Sequence, residues 1–145
     1  MHVNYVHQFD KDIWFSVLVP LSNRTKEEWY RALYVLMIHY NKAVFSIKCI
    51  ECDGGFKSIM DEVSDDMVIE MNCVNPEYHV SEAERNNRMI KEMFQISYYR
   101  FPYKNIPIIV IVNLAMNVAQ ILNLFPAKVV VLDQYIPHMI ISHMN

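Results

Sequence analysis

Three groups of residues combine type and spacing in a way that can do chemistry. The first is Asp53, followed directly by Gly54, Gly55 and Phe56. It closes a mostly apolar stretch at 43–52, so it would stand at the carboxyl end of a strand, where α/β sheets place their sites. Two glycines let a ligand or a second chain come close, and Asp-Gly is equally a common turn. The second is Glu84, in the run Ser81-Glu82-Ala83-Glu84. That run is a capping-box pattern, with the carboxylate near the positive end of a helix dipole. A strand-end aspartate and a helix-start glutamate can converge on a divalent cation if the helix packs beside the strand, as metal-assisted phosphoryl transfer requires. The third is the cysteines, Cys49, Cys52 and Cys73. Cys49-x-x-Cys52 has zinc or redox spacing. On a strand, however, residues three apart point to opposite faces, and Cys73 is distant in sequence, so the expectation is buried thiols.

Composition narrows the function classes. The chain has 145 residues, 53% of them apolar, and a net charge of −3, which suits one folded domain (1–145) and excludes a disordered chain. Only two glycines are present, so a P-loop or dinucleotide fingerprint is excluded. No small-molecule substrate is evident. An odd cysteine count and an N-terminus without a signal-peptide pattern point to a reducing compartment, cytoplasmic or nuclear. Charge is uneven. Residues 51–80 hold eight acids against Lys57, whereas residues 81–104 hold five bases against three acids. That asymmetry suits a divalent cation beside a phosphate backbone, and it equally suits a solvated acidic loop next to an ordinary helix.

The elements that must position these residues can be read from periodicity. Strands are expected at 2–9 and 13–19, with a turn at Asp10-Lys11-Asp12. Thr25-Lys26-Glu27-Glu28 matches a capping box for a helix over 26–40, with Trp29, Leu33, Leu36, Met37 and Tyr40 inward. A strand covered on both faces is expected at 43–52, a short helix at 56–63 and a strand at 67–73. Residues 74–80 read as a loop. A long helix follows to about Tyr99, with Ala83, Ile90, Phe94 and Ser97 inward, and Phe101-Pro102 breaks it. The apolar run 107–125 is long enough to raise a transmembrane question. Asn113, Asn117 and Gln120 put a polar stripe along it, so the expectation is a helix buried on most sides and no membrane. A short strand at 129–132 and a helical turn from Pro137 complete the chain. Strands alternating with helices define an α/β class with some parallel pairing.

In that order the residues resemble a known family. Cys52-Asp53-Gly54-Gly55-Phe56 looks like the segment around the second catalytic aspartate of retroviral-type integrases. Glu77 through Arg88 looks like the segment that holds their catalytic glutamate. The similarity continues in one register through Met89-Ile90-Lys91-Glu92, Phe101-Pro102, Ile106-Pro107 and Leu122 to Lys128, and it extends back to Asn23-Arg24-Thr25. It covers about 12–141 and points to the integrase core of copia-type retrotransposon polyproteins. The resemblance implies a ribonuclease-H-like mixed sheet flanked by helices, and a triad of two aspartates and a glutamate binding magnesium or manganese. It also implies DNA partners (retroelement ends and target) and a possible homodimer. Carried over residue by residue, Asp53 is the second aspartate and Glu84 the glutamate, with Glu82 its rival. Arg85, Arg88 and Lys91 on the same helix are the DNA contacts. The sequence departs from the pattern in three ways. Gly54 replaces an asparagine. Only 30 residues separate Asp53 from Glu84. Two strands rather than three precede the first helix, so the first strand of the meander and its aspartate are missing. The expectation is a degenerate integrase core. The alternative is a catalytically silent nucleic-acid-binding or dimerisation domain derived from one.

Overall fold

The structure is a computed structural model that describes residues 4–73, 81–125 and 136–142. It is a mixed α/β arrangement. Strands β1 (Asn4–Asp10) and β2 (Phe15–Leu21) form an antiparallel hairpin in which Val6 faces Val19 and Phe9 faces Ser16. Asp10 makes the turn. Its Oδ1 accepts from the Asp12 and Ile13 amides at 3.0 and 3.3 Å, an Asx-type closure.

β2 is buried along most of its length because both faces are covered. Val19 and Leu21 pack under helix α1 (Lys26–Lys42) against Ala32, Leu33 and Leu36. On the opposite face Leu18 packs against Ile90 of α3 (Ser81–Tyr99) and Ala115, Val118 and Ala119 of α4 (Ile108–Leu122). The hairpin is therefore the middle layer of three.

α1 ends two residues later than its periodicity predicts, and it starts without the expected capping box. Thr25 stands at the N-cap, but its side chain makes no cap bond. Glu28 instead takes Arg31 through two nitrogens, at 3.1 and 3.0 Å, and accepts from the Ser22 amide at 3.1 Å. The Thr25 amide goes to Asn23 Oδ1. A charge-assisted fork outcompetes a single neutral cap bond.

The strand expected over 43–52 is only β3 (Cys49–Cys52). Ala43 and Val44 still bond back to Tyr40 and Asn41, finishing the helix. Val44 takes a left-handed φ of 62°, the conformation a glycine usually supplies after a helix. Nor is β3 covered on both faces, because Cys49 and Glu51 are exposed while Cys52 is buried.

A 3-10 helix (Gly54–Ile59) and α2 (Met60–Met67) follow. Ile59 and Val63 enter the α1 core, and Trp29 meets Phe56 edge-on at 4.5 Å. β4 (Glu70–Cys73) then pairs with β3 in parallel, starting later than expected because α2 runs to Met67 and Val68 stops it at φ 54°.

Among the described residues the hairpin and the parallel pair form two separate two-stranded sheets. Both contribute to one core, since Val6, Val19, Cys52 and Met71 belong to the same cluster with α1 and α2. α4 is less buried than its sequence predicts. Ala115, Val118 and Ala119 alone among its residues are fully inside, and Ile109 is 62% exposed. α5 (Pro137–Ser142) brings Ile141 against Phe15, Tyr40 and Ala43. The loop expected at 74–80 and the strand at 129–132 lie outside the described residues.

Candidate functional site

Asp53 sits where the sequence places it, exposed and directly after β3. Its carboxylate is the N-cap of the 3-10 helix and accepts from the Gly55 amide at 2.9 Å. The two glycines differ. A Cβ at Gly55 would come within 3.0 Å of Asp53 Oδ1, whereas one at Gly54 meets nothing within 4 Å. The close approach that glycine permits here is of the Asp53 carboxylate to its own backbone.

Glu84 lies in the first turn of α3, exposed. Arg85, Arg88 and Lys91 share that outer surface, opposite the side on which Asn86 and Ile90 are buried. Arg88 lies 3.9 Å from Glu92 one turn on. An exposed pair of that length contributes little and leaves the guanidinium open to exchange partners. Rival Glu82 is exposed as well. α3 packs on α4 and β1, while Asp53 belongs to the β3–α2 side of the core. Among the described residues no group of three His, Cys, Asp or Glu side chains is placed to hold a metal ion.

Part of the acidic run 51–80 is spent on packing. Lys26 pairs with Glu62 at 2.7 Å, and the Tyr30 hydroxyl donates to Asp66 at 3.0 Å, so two of its carboxylates hold α2 against α1. The Glu62 partnership holds the Lys26 ammonium above its ordinary range.

The cysteines depart from expectation. Cys49 is exposed rather than buried and accepts from Asn72 Nδ2 at 3.3 Å. Cys73, far away in sequence, lies directly across from Cys52, with sulfurs 2.8 Å apart. Burial, first, and then Cys73 push the Cys52 thiol well above its usual range.

One constellation was missed by sequence reasoning. Asn123, just past α4, spans the outer edge of β2. Its Oδ1 accepts from the Ser16 amide and its Nδ2 donates to the Ser16 carbonyl, both at 2.8 Å. Ser16 Oγ donates to Asn86 Oδ1 at 2.8 Å. All three residues are buried. His7 stands beside Asn86, and burial lowers its pKa to about 4 against a weaker raising effect of Asn86. Its Nε2 and the Tyr5 hydroxyl are buried with no hydrogen-bond partner among the described residues. The only sequence signal was an asparagine three residues beyond the Asn113–Asn117–Gln120 stripe, which itself is exposed.

The Asn123 bridge has a consequence for the sheet edges. Both main-chain groups of Ser16 point away from β1, so by antiparallel alternation those of its opposite residue Phe9, and of His7 and Tyr5, point away from β2. The outer edge of β2 is closed by Asn123 at one end. At the other, Pro20 carries no amide hydrogen and its carbonyl accepts from Arg31 at 3.0 Å. The outer edge of β1 pairs with no other strand among the described residues.

No helix among the described residues is long and apolar enough to cross a membrane. No family model matches the sequence, and no curated protein matches it.

Proposed function

We propose that this chain is a degenerate integrase-type core of ribonuclease-H-like ancestry, from a retrotransposon, in which DNA strand transfer has been reduced to DNA binding. The observation that carries the reading is that no strand among the described residues pairs with the outer edge of β1, while Asn123 and Arg31 occupy the two ends of the outer edge of β2. Consecutive strands of a meander pair with each other, so a strand preceding β1 belongs on that edge. The element order supports the same reading, with a hairpin, a helix, and then an exposed aspartate at the end of a strand in a parallel pair.

Carboxylate oxygens suit magnesium or manganese. The resemblance assigns such a cation, which when bound would supply charge stabilisation at a transferring phosphate, to Asp53 and Glu84, but the fold sets them apart, Asp53 with β3 and α2 and Glu84 on α3 against α4 and β1. Two carboxylates fall short of the three the resemblance implies. Asp10 and Asp12, the acids near the first strands, both lie in the hairpin turn, where Asp10 Oδ1 accepts from the Asp12 and Ile13 amides. DNA contact through the exposed bases Arg85, Arg88 and Lys91 does not depend on a complete triad.

The test is duplex-DNA affinity by fluorescence anisotropy across a salt series, with and without manganese. Affinity is expected to fall steeply with salt, with a slope smaller by about 2 in the Arg88→Ala, Lys91→Ala double variant. Asp53→Asn is expected to remove any manganese enhancement. An affinity that is absent at low salt, or a slope unaffected by the double variant, refutes the reading. A dimerisation scaffold is the second reading, favoured by the same edge of β1, because an unpaired strand edge invites a second chain. Sedimentation that is independent of concentration rules it out.

A further inference from the structure

We propose that Cys52 and Cys73 form a reversible dithiol–disulfide site, oxidised by exchange with a low-molecular-weight disulfide of the glutathione class. The register of the parallel pair sets the two residues opposite each other at the ends of β3 and β4. Directly paired residues project to the same face, and here both belong to the core beneath α1. Their sulfurs lie 2.8 Å apart, so bond formation asks for a movement of less than about 1 Å. The third cysteine is kept out by strand alternation. Cys49 is three residues from Cys52 and exposed on the opposite face.

The two partners differ in access, which sets the order of events. Cys52 is 8% exposed, while Cys73 is half-buried at the end of its strand. The Cys73 thiolate attacks one sulfur of the small disulfide. The small S–S bond breaks, one small thiol leaves, and Cys73 carries a mixed disulfide. The Cys52 thiolate then attacks Cys73 Sγ and expels the second small thiol. The protein gives up two electrons and two thiol protons, and the two released thiols carry them. Dithiothreitol reverses both steps. The bond ties together two strands of only four residues each, and it closes a loop that carries the 3-10 helix, α2 and Asp53.

The experiment incubates the reduced full chain with oxidised glutathione, folded and in guanidinium, then alkylates it and maps the peptides by mass. The folded chain is expected to lose two hydrogens, to join Cys52 to Cys73 at least tenfold faster than the unfolded chain, and to leave Cys49 as the one alkylated thiol. The Cys49→Ser variant is expected to form the same bond at the same rate. Cys73→Ser, with its fold checked by circular dichroism, is expected to form none. A folded chain that carries only glutathione adducts overturns the proposal. So does a bond involving Cys49, or a Cys52–Cys73 bond formed no faster in the folded chain than in guanidinium.

Discussion

Acidification should destabilise this protein through His7. The imidazole sits on β1 next to Asn86 of α3, and its Nε2 has no hydrogen-bond partner among the described residues. Burial lowers its pKa from 6.5 to about 4. The unfolded chain therefore binds a proton more readily than the folded one over that interval. Stability is fully present above about pH 6.5 and is lost as pH falls toward 4. The linkage relation puts the loss at about 2 kcal/mol between about pH 7.5 and 5, and about 3 kcal/mol by pH 4. For a domain of ordinary marginal stability that is a large share of the total. Other groups titrate nearby. Burial lowers His39 and so acts in the same direction, whereas burial raises Asp10 and opposes it. The decisive quantity is thus a difference between variants. Urea unfolding at both pH values should show wild type losing about 2 kcal/mol more than His7→Gln or His7→Phe. Equal losses in all three proteins, or a His7 imidazole that titrates near 6.5 by NMR, would refute the reasoning.

Two further outcomes follow from the packing. Asn123→Ala should cost about 3 kcal/mol in denaturant unfolding, because it leaves both main-chain groups of Ser16 buried without partners. Val68→Gly should raise stability by up to about 1 kcal/mol in the same assay. Val68 ends α2 in a left-handed conformation and is 86% exposed, so relief of strain outweighs glycine's entropy with no packing lost.

The scarcity of glycine shows how composition enters the fold. Among the described residues three sites need positive φ, and Trp14, Val44 and Val68 fill them. Neither glycine does so. Gly54 and Gly55 are instead placed after Asp53, where only Gly55 is under steric demand. An apolar run such as 43–52 carries no mark of where α1 stops, so a strand read from it alone comes out too long. The helix ends when Val44 turns left-handed, and β3 begins only once Cys49 finds Glu70 across the ladder.

The sequence by itself determined the order of strands and helices, the inward faces of α1 and α3, and the exposed turn at Asp53. Those features are local, because side-chain period, turn chemistry and helix dipoles act over a few residues. Tertiary structure alone decided that Asn123 closes the edge of β2 while Asn113 and Asn117 face solvent, that Asn86 is buried one position from Asn87, and that Cys73 meets Cys52. Each of those depends on which distant backbone passes within hydrogen-bond or van der Waals reach, a distance that no spacing along the chain encodes.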